Sequence, residues 1–140
     1  MNRKVRGYVF SRPFMGERVP QHVQNLVIRD YCERNGLHYL LSASEYAMDN
    51  CHLILRQVLD EMPVLDGVVA YSLFQLPEDM VARQEVYSRV LSLSGTLHFA
   101  VEGLKMSSEK DRDRIEVLWR IRQTLPLCAQ IYVSSRQNDD

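Results

Sequence analysis

Residues 67–71, Gly-Val-Val-Ala-Tyr, form a short run that is apolar almost throughout. A strand with one wet face alternates polar and apolar side chains, whereas a strand covered by helices on both faces does not. This run therefore belongs in the middle of a sheet sandwiched between helices. Its flanks agree. Upstream, Cys51, Ile54, Leu55, Val58 and Leu59 recur at the spacing of one helical face. Downstream, Pro77-Glu78-Asp79 places a proline and two acids where a helix begins, and that helix runs to about residue 93.

The same alternation extends along the chain. Short runs rich in β-formers predict strands over residues 5–10, 38–41, 67–71, 96–101 and 129–133. Between the first two, Pro20 opens a helix with Val23, Val27 and Tyr31 on its inner face, and Asn35-Gly36 stops it. Asp49 or Asn50 is placed to cap the second helix. A fourth starts near Ser108 and Asp111, turns Ile115, Leu118, Trp119 and Leu125 inward, and ends at Pro126. The expected fold is one α/β domain over residues 1–136, three layers deep, with a mainly parallel sheet of about five strands and a polar tail over 137–140.

Composition narrows the function classes. With 140 residues, 46% hydrophobic and 25% charged, the chain can bury a core of its own. Seventeen basic and eighteen acidic residues leave a formal charge of -1, which argues against a protein devoted to nucleic-acid backbone. No apolar run approaches the roughly 20 residues of a membrane span. The basic start, Arg3-Lys4-Val5-Arg6, lacks the apolar segment of a signal peptide. A cytoplasmic protein with neither nucleic-acid nor membrane partner is the expectation.

Cys32, Cys51 and Cys128 are widely spaced and odd in number, as expected of small core residues rather than a disulfide framework. His22, His38, His52 and His98 are scattered, with no ligand pair among them. Neither the Gly-x-Gly-x-x-Gly fingerprint nor the P-loop pattern occurs, so no metal and no cofactor is expected.

In sheets of this kind ligands bind beyond the carboxyl ends of the strands, near the point where strand order reverses. That rule selects four loops, over residues 11–19, 42–50, 72–77 and 102–107. In the first, Ser11 is a candidate nucleophile, although a serine at a strand end often only caps a turn. Arg12 and Arg18 could grip a phosphate or carboxylate. The second loop offers Glu45 with Asp49 as a carboxylate pair, and Asn50; helix capping explains Asp49 equally well. Ser72 and Gln75 in the third are neutral donors and acceptors, suited to sugar hydroxyls or an amide more than to a charged transition state. Glu102, just past the fourth strand, is the candidate general base. The alternating charges of residues 109–114 read as a solvated helix face.

Arg6-Gly7-Tyr8-Val9-Phe10-Ser11, residues 24–32, Leu65-Asp66-Gly67-Val68-Val69 and Leu73-Phe74-Gln75-Leu76-Pro77-Glu78-Asp79 resemble, in order and spacing, the catalytic domain of serine recombinases, the resolvases and invertases. The likeness covers about residues 5–104. It implies a resolvase-like, flavodoxin-related sheet in which a strand-end serine, here Ser11, attacks a DNA phosphodiester amid several arginines. Those arginines are missing. Val9 or Phe10 stands where one precedes the serine, and Asn50 where one begins the second helix. Phe74, Gln75 and Glu78 replace the aspartate and both arginines of the Leu-Asp-Arg-Leu-x-Arg-Asp motif. Phosphoryl transfer relies on such cations, so recombination is not the expected activity.

Arg6-Gly7-Tyr8, Phe10-Ser11-Arg12-Pro13-Phe14 and Tyr71-Ser72-Leu73-Phe74-Gln75-Leu76-Pro77 are similar to a small bacterial family, the sporadic carbohydrate cluster proteins. That resemblance implies a place in surface-carbohydrate biosynthesis and names no reaction. The expectation is an enzyme acting on a sugar or sugar nucleotide, with Ser11 and Glu102 catalytic and Arg12, Arg18, Glu45, Asn50, Ser72 and Gln75 binding substrate. The alternative is a noncatalytic binding or assembly partner of other carbohydrate-pathway enzymes. The recombinase likeness further implies self-association through the last helix, hence a homo-oligomer.

Overall fold

The computed structural model describes residues 3–138, with side chains as far as residue 124. Strand β1 (Arg3–Phe10) organises the domain because its side chains divide strictly by parity. Val5 and Val9 join Ile28, Tyr31 and Cys32 of helix α1 (Gln21–Arg34) and Val69 on one face. Tyr8 and Phe10 join Leu55, Val58 and Leu59 of α2 (Leu53–Asp60), Val86 and Val90 of α3 (Met80–Ser92), and Ile115 and Trp119 of α4 (Glu109–Asn138) on the other. The result is three layers, with α1 covering one face and the remaining helices the other.

The sheet runs in the order β2-β1-β3-β4-β5, with β2 at Leu37–Glu45, β3 at Gly67–Ala70, β4 at Thr96–Phe99 and β5 at Leu104–Met106. The first four strands are mutually parallel, and β5 returns antiparallel to β4. Chain order therefore reverses beside β1, where β2 lies on one side and β3 on the other. Gly7 sits where the β1–β2 register shifts. A Cβ there would collide with the Ser42 side chain and crowd the Tyr39 ring, so glycine lets the two strands approach without displacing either.

The structure corrects several expectations. Residues 42–45 continue β2 instead of opening a loop, because pairing with β1 accommodates polar residues on an edge strand; Ser44 is exposed while Ala43 and Glu45 are buried. The fifth strand is Leu104–Met106, within the segment read as a loop over 102–107, and residues 129–133 lie in α4. A hairpin through Gly103 (φ +65°) closes that sheet edge locally, at less entropic cost than a distant segment would incur. Helix α4 continues past Pro126, and its range also takes in residues 137–138 of the expected polar tail; residues 139–140 lie outside the described part. The inner face of α1 is turned from Val23 and Val27 toward Gln24, Ile28, Tyr31 and Cys32. Neither Asp49 nor Asn50 caps α2, whose cap position is His52 without a side-chain bond. Cys32 is core, with burial pushing its thiol up to about 11, whereas Cys51 is half-buried and the side chain of Cys128 lies outside the described part.

A titratable residue stands in the core beneath α1. His98 of β4 faces α1, is 3% exposed, and holds Tyr31 Oη at 2.8 Å through Nδ1 and Thr96 Oγ1 at 2.9 Å through Nε2. Burial, then Lys105 and Arg3, lower its pKa from 6.5 to about 4. The neutral ring is thus the folded form, and the unfolded chain binds the extra proton between those values. Stability is complete above pH 6.5 and falls as the pH drops toward 4, by on the order of 3 kcal/mol. Urea unfolding at pH 7 and pH 4.5 should show this loss, and His98→Gln should flatten it.

Candidate functional site

The carboxyl ends of β1, β2, β3 and β4 bring together the loops that carry most of the predicted site residues. Their polar atoms are largely bonded to one another. Glu45, the last residue of β2 and 2% exposed, lies against the start of α2. Its carboxylate accepts from Ile54 N (3.0 Å), Leu55 N (3.1 Å), Tyr46 N (3.1 Å) and Tyr8 Oη (2.8 Å). A carboxylate from a neighbouring strand thereby satisfies amides that a helix leaves open at its N-terminus. Burial, and then this carboxylate, raise the Tyr8 pKa far above its ordinary value, so the phenol stays protonated and donating.

Glu102, in the turn after β4, accepts from Leu73 N at 2.6 Å and Ser72 Oγ at 2.9 Å. Ser72 and Gln75 in turn form a capping box around the 3-10 turn Leu73–Gln75. Gln75 Nε2 donates to Gln24 Oε1 (2.8 Å), which also accepts from Phe10 N, while Gln24 Nε2 donates to Phe10 O (2.9 Å) and Val19 O (2.8 Å). Two fully buried amides therefore tie β1, α1 and the β3–α3 loop together. Ser11 Oγ donates to Glu45 O at 2.7 Å, and no titratable side chain among the described residues hydrogen-bonds it. Exposed Arg18 reaches the Ser11 carbonyl at 3.4 Å.

Arg12 is different. The residue is 7% exposed, its guanidinium lies 4.1 Å from the Phe10 ring centroid, and Nη1 donates to Tyr46 O (2.8 Å) and Cys51 O (2.9 Å). Nε and Nη2 donate to nothing among the described residues, yet neither is sealed from solvent. No carboxylate among the described residues forms an ion pair with it. It borders a cleft of about 230 Å³ whose other walls include Phe14, Phe74, Asp49, Asn50, His52 and Glu78. Asn50 stands at φ +59°, a left-handed conformation that asparagine tolerates, and is exposed. His52 Nε2 lies 3.2 Å from Gln75 O; a carbonyl only accepts, so this nitrogen carries the proton. Burial, followed by the Arg12 charge, lowers the His52 pKa and keeps the ring neutral at pH 7.

The structure thus gathers Arg12 and Asn50 in one cleft, with Ser11 and Glu45 behind it and Ser72, Gln75 and Glu102 in an adjoining cap. Sequence reasoning missed Gln24, His52, Glu78 and the three phenylalanines. Gln24 left a signal, an amide in register with Ile28, Tyr31 and Cys32 on a helical face. Among the described residues no group of three or more His, Cys, Asp or Glu side chains is arranged to hold a metal ion, and no helix is long and apolar enough to cross a membrane.

No protein-family model matches the chain, and no curated protein matches it. Solved structures do. The N-terminal catalytic domain of TP901-1 integrase superposes with a TM-score of 0.56 at 14% identity, over 88% of this chain and 98% of that one. A resolvase family site-specific recombinase from Streptococcus pneumoniae superposes with a TM-score of 0.61 at 7% identity, over 97% of this chain and 99% of that one. At such identities the likeness is one of architecture, and the architecture is the resolvase-like, three-layer fold of serine recombinase catalytic domains.

Proposed function

We propose that the protein binds a phosphorylated or nucleotide-linked sugar in the cleft over Arg12, as part of bacterial surface-carbohydrate biosynthesis. The observation that carries this reading is Arg12 itself, a buried cation on the wall of a cleft, held by two carbonyls and an aromatic face, with Nε and Nη2 unbonded and no carboxylate ion-paired to it among the described residues. A guanidinium fixed in that way is preorganised for an anion. The rest of the lining suits what the anion is attached to. Asp49, Glu78 and the Asn50 amide accept from hydroxyls, and the rings of Phe14 and Phe74 offer apolar faces to a sugar. Two carboxylates in the wall disfavour a bare phosphate and favour one carrying a hydroxyl-rich group.

The hydrogen bonding favours binding over turnover. Glu102 as general base would have to abandon Leu73 N and Ser72, and Ser11 as nucleophile has only a carbonyl to take its proton. The absence of the recombinase arginines supports a role other than DNA strand exchange, since Asn50, Phe74, Gln75 and Glu78 supply no cation for a phosphoryl transition state.

Thermal unfolding of the protein against nucleotide sugars, sugar 1-phosphates, free sugars and short duplex DNA tests the reading. A phosphorylated sugar at about a hundred times its Kd should raise Tm by roughly 5–10 °C. DNA should leave it unchanged. A rise with DNA alone contradicts the proposal. No rise with any ligand also contradicts it and shifts the search to protein partners among carbohydrate-pathway enzymes.

A further inference from the structure

A second cavity, of about 140 Å³, lies between α2 and α3. It shares Asn50, His52 and Glu78 with the cleft over Arg12, so the two adjoin. Neither alone reaches the roughly 300 Å³ typical of a small-molecule site, whereas the two together do. Their chemistry differs. The slot has an apolar floor of Leu55, Leu59 and Val86, all buried, and a rim where exposed Arg56 offers donors and exposed Glu85 accepts. Ala82 of α3, the smallest side chain in the lining, keeps it open.

An apolar floor between helices with a donor and an acceptor on the rim is the environment of a flat heterocycle with a polar edge. Beside it stands a fixed guanidinium. We propose that the slot between α2 and α3 is the second half of the site and takes the nucleobase of a nucleotide-linked sugar whose phosphates lie at Arg12. This rests on the preceding reading and narrows it, because a free sugar or sugar 1-phosphate would leave the slot unfilled. Asn50, at the junction, presents both a donor and acceptors to the ribose. The neutral His52 ring, whose Nε2 proton is committed to Gln75 O, lines the groove without adding charge to it.

Calorimetric titration of the full-length protein with UDP-glucose, GDP-mannose and glucose 1-phosphate tests this, using wild type, Ala82→Leu and Arg12→Gln. Ala82→Leu should fill the slot, weaken the nucleotide sugar at least tenfold, and leave glucose 1-phosphate within threefold of wild type. Arg12→Gln should weaken both. If wild type binds a nucleotide sugar and Ala82→Leu binds it equally well, or loses both ligands alike, the slot does not hold the base and this inference falls while the Arg12 site stands. If wild type binds none of the three, the preceding reading falls as well. Should Ala82→Leu melt early, Arg56→Ala at an exposed position serves instead. It should weaken the nucleotide sugar about threefold and spare glucose 1-phosphate, and an unchanged nucleotide-sugar affinity overturns the proposal.

Discussion

Replacing Glu45 by alanine should unfold the protein or remove most of its stability. The carboxylate, on a residue 2% exposed, accepts from three backbone amides and the Tyr8 hydroxyl. Removing it strands two buried donors, Tyr8 Oη and Leu55 N, and two part-buried ones, Tyr46 N and Ile54 N. Each stranded donor costs about 1–3 kcal/mol, against a total stability on the order of 5–15 kcal/mol for a domain of this kind. A loss of about 4 kcal/mol is therefore expected, which places Glu45→Ala among the rare severe substitutions. Glu45→Gln retains one acceptor oxygen but turns an amide NH2 toward other donors, and should lose about 2–3 kcal/mol. Urea unfolding with an unchanged m-value measures both. If Glu45→Gln instead unfolds like wild type but loses ligand, Glu45 is a ligand-contacting residue rather than the cap of α2.

The second large effect lies at the junction of α3 and α4. Arg83, 2% exposed, makes a bidentate pair with Glu116 through Nε (2.6 Å) and Nη2 (2.8 Å). Its Nη1 donates to Pro77 O and Glu78 O, and its guanidinium lies 4.4 Å from the Trp119 ring centroid. Tyr87 Oη donates to Glu116 Oε1 at 2.8 Å. The hydrogen bonds from Arg83 chiefly hold the Glu116 carboxyl below its ordinary range, so this stabilisation is present near neutral pH and is lost as pH falls below the ordinary glutamate value. Arg83→Met leaves a buried carboxylate without its cation and should cost about 3–5 kcal/mol. Because Arg83 also holds the carbonyls that precede α3, the same change should loosen the Glu78 wall of the cleft. Arg83→Met with Glu116→Leu should cost much less than the sum of the singles, since a buried pair replaced by apolar residues leaves no lone charge. Strictly additive losses in a double-mutant cycle would mean that the two residues stabilise the protein independently.

Glu45 and Arg83 also mark where sequence reasoning stopped. Four of the five strands and the starts of the four helices were legible, because their cues are local: the unbroken apolar run of β3, the stripe of α2, the proline and acids before α3. What was not legible depends on which groups meet across the chain. Ser42-Ala43-Ser44-Glu45 reads as a polar loop until β1 is beside it, and only then does Glu45 reach the amides of α2. The β-forming residues 129–133 look like a strand until the hairpin through Gly103 has taken the open edge of β4. Within the candidate site, the loops were found by the rule that ligands gather at the carboxyl ends of parallel strands. The division of labour inside them was not, because whether a serine or glutamate is available or already bonded is a property of its neighbours. Arg12 and Arg18 look alike in sequence; one is buried and stacked on Phe10, and the other is exposed.

In the proposed site Arg12 is the group that would meet the ligand. The most direct measurement is ¹H–¹⁵N NMR of the full-length protein during titration with the sugar ligand that stabilises it, observing the Arg12 Nε–H and the Asn50 side-chain amide. Both should shift saturably along the same binding curve as the melting temperature, while the Gln24 and Gln75 amides, buried in the framework, move little. If the protein is stabilised and Arg12 and Asn50 stay still, the ligand lies elsewhere and the cleft is not the site.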